Sequence, residues 1–170
     1  LGVERNVLGA DPIPTFAAVS NKTMNVHGTA KADIIEIDPQ NNTIIAVSVD
    51  NLGHLYFGAT SFDWVVVDAG GGDDYLHDTA HHTITVAGGA GDDTVEVPLA
   101  FGAFLSGGAG NDWLDGTKRA DTLDGGNGSD RLYGDADQLD RAAGPGANDV
   151  LPSSLPPDLW VALERIIGPL

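Results

Sequence analysis

Gly88-Gly89-Ala90-Gly91-Asp92-Asp93-Thr94-Val95 decides how this chain folds, because it comes back twice at almost the same interval. The returns are Gly107-Gly108-Ala109-Gly110-Asn111-Asp112-Trp113-Leu114 and Gly125-Gly126-Asn127-Gly128-Ser129-Asp130-Arg131-Leu132. A looser copy precedes them, Ala69-Gly70-Gly71-Gly72-Asp73-Asp74-Tyr75-Leu76, and a degenerate half-copy, Gly116 to Leu123, lies between the last two. Asp74, Asp93, Asp112 and Asp130 step by 19, 19 and 18 residues. Leu76, Val95, Leu114 and Leu132 keep the same steps, and so do Val67, Val86, Leu105 and Leu123. Two apolar rows at one period predict two short strands per coil, facing each other across a flattened solenoid. The alternation in Ile84-Thr85-Val86 and Thr94-Val95-Glu96-Val97 gives those strands one buried face. A flexible acidic linker would not hold aliphatic residues in step over successive coils.

The turns between strands carry the chemistry. Tight turns between stacked strands force positive φ, which Gly tolerates at least cost. Bare glycine backbones also let carbonyls of successive coils converge. Ca²⁺ takes six to eight hard oxygen ligands, and carbonyls with carboxylates supply them. One Asp per turn meets the Asp of the next coil, and stacked carboxylates repel unless a cation lies between them. The predicted roll is therefore conditional on calcium.

These turns resemble the RTX, or haemolysin-type, calcium-binding family and its nonapeptide Gly-Gly-x-Gly-x-Asp-x-U-x, strictly from Gly88 to Tyr133 and well from Ala69. The resemblance implies an ion between turns one coil apart. The earlier turn then gives its second and fourth carbonyls, the later its first and third, and both give the sixth-position Asp. Carried over, a first ion takes Gly70, Gly72 and Asp74 with Gly88, Ala90 and Asp93. A second takes Gly89, Gly91 and Asp93 with Gly107, Ala109 and Asp112. A third takes Gly108, Gly110 and Asp112 with Gly125, Asn127 and Asp130. That makes about three Ca²⁺ on one edge. The opposite edge departs from the pattern. Only Asp121 stands there where a ligand belongs, with Asp137 or Asp140 as partner for a fourth ion.

Composition agrees with a turn-dense β architecture. The chain has 170 residues with 23 Gly and only 6% aromatic residues. Twenty-five acids against eight bases leave a formal charge of −17, which argues against nucleic acid or an anionic membrane as partner. There is no cysteine for a disulfide or thiolate site. No apolar run reaches the roughly 18–20 residues of a transmembrane segment. The chain begins with Leu1 and is expected to be a processed mature form or a piece of a longer protein.

The expected fold is all-β: a parallel β-roll or β-solenoid with stacked calcium-binding turns, an N-terminal strand cap and a short C-terminal helix. Residues 1–22 read as an extended arm, 23–68 as an N-terminal β cap and first coils, 69–140 as the calcium-binding roll, and 141–170 as a C-terminal loop and capping helix. Within the cap, Gly28, Asp33 and Ile35 take the first, sixth and eighth repeat positions, while Thr43–Asp50, His54–Phe57 and Asp63–Asp68 read as strands. Asp33 and Asp63 read as solvated turn acids, and the period is expected to fail beyond Asp140. Pro156-Pro157-Asp158 and Gly168-Pro169 bound the apolar helix segment Leu159 to Ile167.

No Ser/His/Asp motif, phosphate loop or nucleotide fingerprint occurs, and the chain is read as non-enzymatic. His77, His81 and His82 lie near one another in sequence, but without the spacing of a zinc site, so they read as turn histidines. Position seven points outward and sets Tyr75, Thr94, Trp113 and Arg131 in a row, with His77, Glu96, Asp115 and Tyr133 beside it. Such a row serves cross-strand stabilisation or, in a polysaccharide-binding adhesive module, sugar stacking. The leading expectation is an extracellular or cell-surface bacterial module that folds on calcium and serves display, secretion or self-assembly. Filaments built through its ends or its N-terminal arm are one form of the last. The alternatives are the glycan-binding module and the non-catalytic tail of a secreted enzyme.

Overall fold

The computed structural model describes residues 16–50, 52–134 and 141–143, the last three as backbone. Residues 1–15 of the arm expected over 1–22, together with Asp137, Asp140 and the helix segment Leu159 to Ile167, lie outside the described residues.

The first described element is a hairpin of β1 (Ala17–Ser20) and β2 (Thr23–His27), so residues 17–22 pair with β2 or form its turn rather than an extended arm. Its two turn residues, Asn21 and Lys22, have φ of 49° and 65°, as a tight hairpin turn demands. It then crosses to β3 (Ile34–Asn41) and runs through an antiparallel meander of β4 (Ile44–Val49) and β5 (His54–Gly58). From there it winds as a solenoid. The strands in order are β6 (Trp64–Gly71), β7 (Tyr75–Asp78), β8 (Thr83–Ala90), β9 (Thr94–Glu96), β10 (Ala103–Ala109), β11 (Trp113–Asp115), β12 (Thr122–Asn127), β13 (Arg131–Tyr133) and β14 (Arg141–Ala143).

Among the described residues the strands form two seven-stranded sheets. One runs β1-β2-β6-β8-β10-β12-β14, the other β13-β11-β9-β7-β3-β4-β5. All pairings from β2 and β3 onward through the coils are parallel, whereas β1 and the β4–β5 meander add antiparallel strands at the N-terminal end. Parallel pairing requires a crossover, and here the crossover is the other strand of the same coil. The register repeats what the sequence spacing predicts: Leu76↔Val95, Val95↔Leu114 and Leu114↔Leu132 on one sheet, Val67↔Val86, Val86↔Leu105 and Leu105↔Leu123 on the other. These eight side chains are all at most 2% exposed and form the centre of the core. Each fully buried Leu or Val contributes roughly 1.5–3 kcal/mol.

Within the region read as cap and first coils, β2 and β3 form a coil of their own: Val26 pairs with Val67 and Ile35 with Leu76, extending both apolar rows by one step. Two features differ from the sequence expectation. Asp33, expected to be solvated, is only 2% exposed, because this coil seals it against the next one; Asp63 is exposed as expected. The period also does not stop at Asp140. β14 pairs Leu123 with Ala142, a step of the same length, through backbone hydrogen bonds that a hydrophobic pattern does not report.

Candidate metal centre

The Gly-Gly-x-Gly-x-Asp turns all fall on one edge, between β6 and β7, β8 and β9, β10 and β11, and β12 and β13. At positions two and four the glycines have positive φ, for example 119° at Gly89 and 130° at Gly91. A Cβ on Gly89 would strike the carbonyl oxygen of Gly70, and one on Gly91 that of Gly72. The same contacts recur from Gly108 to Gly89, Gly110 to Gly91, Gly126 to Gly108 and Gly128 to Gly110. Bare backbones at these positions therefore let carbonyl groups stack in columns along the edge.

Beside those columns runs a column of buried carboxylates. Asp33 donates its N–H to Oδ1 of Asp74 (2.8 Å), Asp74 to Asp93 (2.9 Å), Asp93 to Asp112 (2.9 Å) and Asp112 to Asp130 (3.0 Å). Each Oδ1 is thus committed to the coil before it. The other oxygen is not: Oδ2 of Asp74, Asp93, Asp112 and Asp130 is buried and has no hydrogen-bond partner. In three of these turns it lies against the bare face of the position-one glycine, where a Cβ on Gly88, Gly107 or Gly125 would collide with it. A Cβ on Gly88 would also come within 2.7 Å of the Gly107 carbonyl oxygen, so a carboxylate and a carbonyl of the next turn converge there.

The electrostatics follow from this burial. Desolvation pushes the carboxyls of Asp93 and Asp112 up to about 6, and neighbouring acids add to it, Asp74 and Asp112 for the first and Asp130 and Asp92 for the second. Asp74 is also raised, again chiefly by burial. An orphaned, buried, anionic oxygen is expensive unless a proton or a cation meets it. Hard carboxylate and carbonyl oxygens fit Ca²⁺ rather than a soft or nitrogen-seeking metal. Among the described residues no three acidic or histidine side chains converge as in an all-side-chain centre. A cation at this edge would draw mainly on carbonyls, with one carboxylate from each of two turns.

The residues singled out from the sequence thus share one edge, with the exception of Asp121. That carboxylate is on the opposite edge, 3% exposed, and accepts N–H bonds from Ala103 (2.8 Å) and Thr117 (2.6 Å) and a hydroxyl bond from Thr117 (2.9 Å). The three histidines do not gather. His77 lies beside Tyr75 on the outer face of β7, His81 packs against Phe101, and His82 is buried against Phe62 with Nε2 2.6 Å from Oδ2 of Asp78.

Sequence reasoning missed a second column. At position five, Oδ1 of Asp73 accepts from the Asp92 N–H, Oδ1 of Asp92 from the Asn111 N–H, and Oδ1 of Asn111 from the Ser129 N–H. It runs towards the C-terminus, opposite in sense to the position-six column, so adjacent turns are buttoned in both directions. The signal was present, since short polar residues recur at position five, but it reads as ordinary turn composition until the coils are stacked.

A family model of the RTX calcium-binding nonapeptide repeat matches residues 85–96 and 106–138, in four copies. No curated protein and no solved structure is significantly similar to the chain. Among the described residues no helix is long and apolar enough to cross a membrane. With its Gly/Asp turns stacked on one edge of a parallel solenoid, the chain carries RTX calcium-binding repeats and has an architecture consistent with a calcium-binding β-roll.

Proposed function

We propose that this protein is an extracellular structural module whose coils from Ala69 onward fold when about three Ca²⁺ ions enter the Gly/Asp edge. The observation that carries this reading is the row of buried, unpartnered Oδ2 atoms on Asp74, Asp93, Asp112 and Asp130. Adjacent coils are about 4.8 Å apart. At that separation two unit charges repel by roughly 3–4 kcal/mol at an effective dielectric constant of about 20. Three such neighbours in a column approach the whole stability of a small domain, about 5–15 kcal/mol. An ionised column without counter-ions therefore opposes folding, and a divalent cation between each pair of turns reverses the sign.

The residues that would hold the ions are Gly70, Gly72, Asp74, Gly88, Ala90 and Asp93 for the first. Gly89, Gly91, Asp93, Gly107, Ala109 and Asp112 would hold the second, and Gly108, Gly110, Asp112, Gly125, Asn127 and Asp130 the third. Calcium is millimolar outside cells and far scarcer in the cytosol, and extracellular modules bind it with dissociation constants of about 10⁻⁴–10⁻³ M. Folding gated in that way suits a chain that is exported unfolded and orders outside, for display, secretion or assembly. The outward row supports a structural role over a sugar platform. Trp113 stacks on Tyr133 at 4.8 Å with Arg131 over its ring, and the Tyr75 hydroxyl donates to Glu96 at 2.9 Å, so these groups are turned on one another.

Circular dichroism with calcium and with chelator, joined to elemental analysis of the dialysed protein, tests the reading. We expect about three bound calcium ions per chain and loss of most β signal in chelator. A spectrum indifferent to chelator in a chain that carries no metal would falsify it.

A further inference from the structure

Seven aspartates are buried among the described residues, and they divide into two chemical groups. Asp74, Asp93, Asp112 and Asp130 each keep an orphaned Oδ2. Asp33, Asp78 and Asp121 are served by the protein itself. Asp78 takes His82 Nε2 on Oδ2 and the Ala80 N–H on Oδ1. Asp33 and Asp121 share a single device, spelled Gly28-Thr29-Ala30-Lys31-Ala32-Asp33 and Gly116-Thr117-Lys118-Arg119-Ala120-Asp121.

In both turns the Thr at position two donates its N–H to Oδ2 of the position-six Asp, at 2.5 Å for Thr29 and 2.6 Å for Thr117. Its hydroxyl donates to Oδ1, at 3.0 and 2.9 Å. The same hydroxyl accepts the N–H of the residue at position four, Lys31 at 3.1 Å and Arg119 at 2.9 Å. The backbone differs as well. Positions two and four of the Gly-rich turns have positive φ, whereas Thr29, Lys31, Thr117 and Arg119 are not among the positive-φ residues. A Thr-containing turn therefore lacks the left-handed pair of residues, although the Thr29 carbonyl still stacks against Gly70, and its carboxylate is already hydrogen-bonded on both oxygens.

We infer that Thr29 and Thr117 are the selectivity-determining residues of this roll: each closes its turn without an ion, so calcium is confined to the turns that carry Gly at position two. This rests on the calcium reading given above. It follows that the coil of β2 and β3, braced by β1 and the β4–β5 meander, can order in the absence of calcium and present a finished edge. The column then starts on a template, because Asp74 already receives the Asp33 N–H at 2.8 Å. Nucleating a parallel solenoid from an unfolded chain is slow, since nonlocal pairing must precede any gain. A preformed coil removes that first step and leaves each later coil only a neighbour to join.

The full-length chain tests this in two measurements. In hydrogen–deuterium exchange with chelator, amides of Ile35–Ile37 and Ile45–Val49 should stay protected while those of Val86–Leu132 exchange freely, and calcium should protect both. Equal exchange of the two regions in chelator, fast or slow, overturns the inference. The second measurement is the number of bound calcium ions by elemental analysis. The double substitution T29G/K31G, which removes the brace and frees the backbone at both positions, should gain one ion over the wild type. T29S, which keeps the hydroxyl, should not. An unchanged count in T29G/K31G in a protein that still binds calcium overturns the inference while leaving the calcium reading standing. A wild type that binds no calcium at all defeats the calcium reading itself. Should T29G/K31G fail to fold, T29V decides: loss of protection in Ile35–Ile37 in chelator, with the ion count unchanged, supports the brace, and unchanged protection overturns it.

Discussion

Each carboxylate in the edge column has two oxygens with different fates. Oδ1 is tied to the preceding coil by a backbone N–H, and this bond favours the ionised form. Burial works against it and wins at Asp93 and Asp112, whose carboxyls rise to about 6. The sign of the resulting pH dependence differs between the two states of the protein. Without metal, the folded form binds more protons than the unfolded chain between the ordinary carboxyl value of 3.8 and about 6. Its stability should therefore fall as pH rises through that window and level off above it. With calcium the ionised form is required, so protons compete with the metal and the calcium midpoint should rise as pH drops from 7.5 to 5. Calcium titrations at both pH values, and the β signal in chelator followed as pH falls from 7.5 to 5, check the two halves separately. Neighbouring side chains should also differ sharply. Asp93→Asn removes a charge buried to 1% exposure and shared between two proposed ions, whereas Asp92→Asn alters an exposed group whose hydrogen-bonding oxygen survives. Calcium-induced folding should weaken far more for the first than for the second; equal midpoints would contradict the assignment of the column.

At the scale of the strand, the two faces of β11 show what holds the coils. Leu114 is fully buried between Val95 and Leu132, while Trp113 on the outer face is 37% exposed and stacks on Tyr133. Leu114→Ala should cost about 2–5 kcal/mol of stability in the calcium-loaded state. Trp113→Ala removes only cross-strand contacts, worth roughly 0.2–1 kcal/mol. Denaturant melts with calcium in excess measure both. A larger loss for Trp113→Ala would shift the role of that row away from stabilisation and towards a binding surface. Strand positions of this kind were legible in advance, since aliphatic residues at a 19-residue step can only be buried once per coil. Asp33 and β14 were not. The residue pattern at Asp33 fits the repeat, yet its burial depends on a coil whose two strands are separated from the next coil by the β4–β5 meander. β14 is added by backbone pairing, which leaves no mark on side-chain periodicity.

For the whole molecule, charge and calcium are opposing terms. The formal charge is −17, and three bound ions would bring it only to about −11, so calcium neutralises the column and leaves the surface acidic. At roughly one to ten times its dissociation constant, the range that millimolar calcium gives, a site adds about 0.4–1.4 kcal/mol to stability. Three sites then add about 1–4 kcal/mol. The chain in chelator should accordingly be expanded and should contract as calcium is added, with a smaller contraction when monovalent salt is raised instead. Small-angle scattering reads that difference, and equal contraction by both would point to screening rather than bound ions. The amino-acid sequence by itself determined the period, the two apolar rows, the Gly/Asp edge and the kind of cation that edge suits. Those are properties of residue type and spacing, and each is dictated locally by sterics, burial or ligand chemistry. The tertiary structure decided which carboxylates are left unpartnered, because a hydrogen bond from Thr29 to Asp33 or from Asp33 to Asp74 exists only once turns close and coils stack. Two turns with the same position-six Asp differ in whether the protein or an ion must complete them, and that difference is set by where a backbone N–H points.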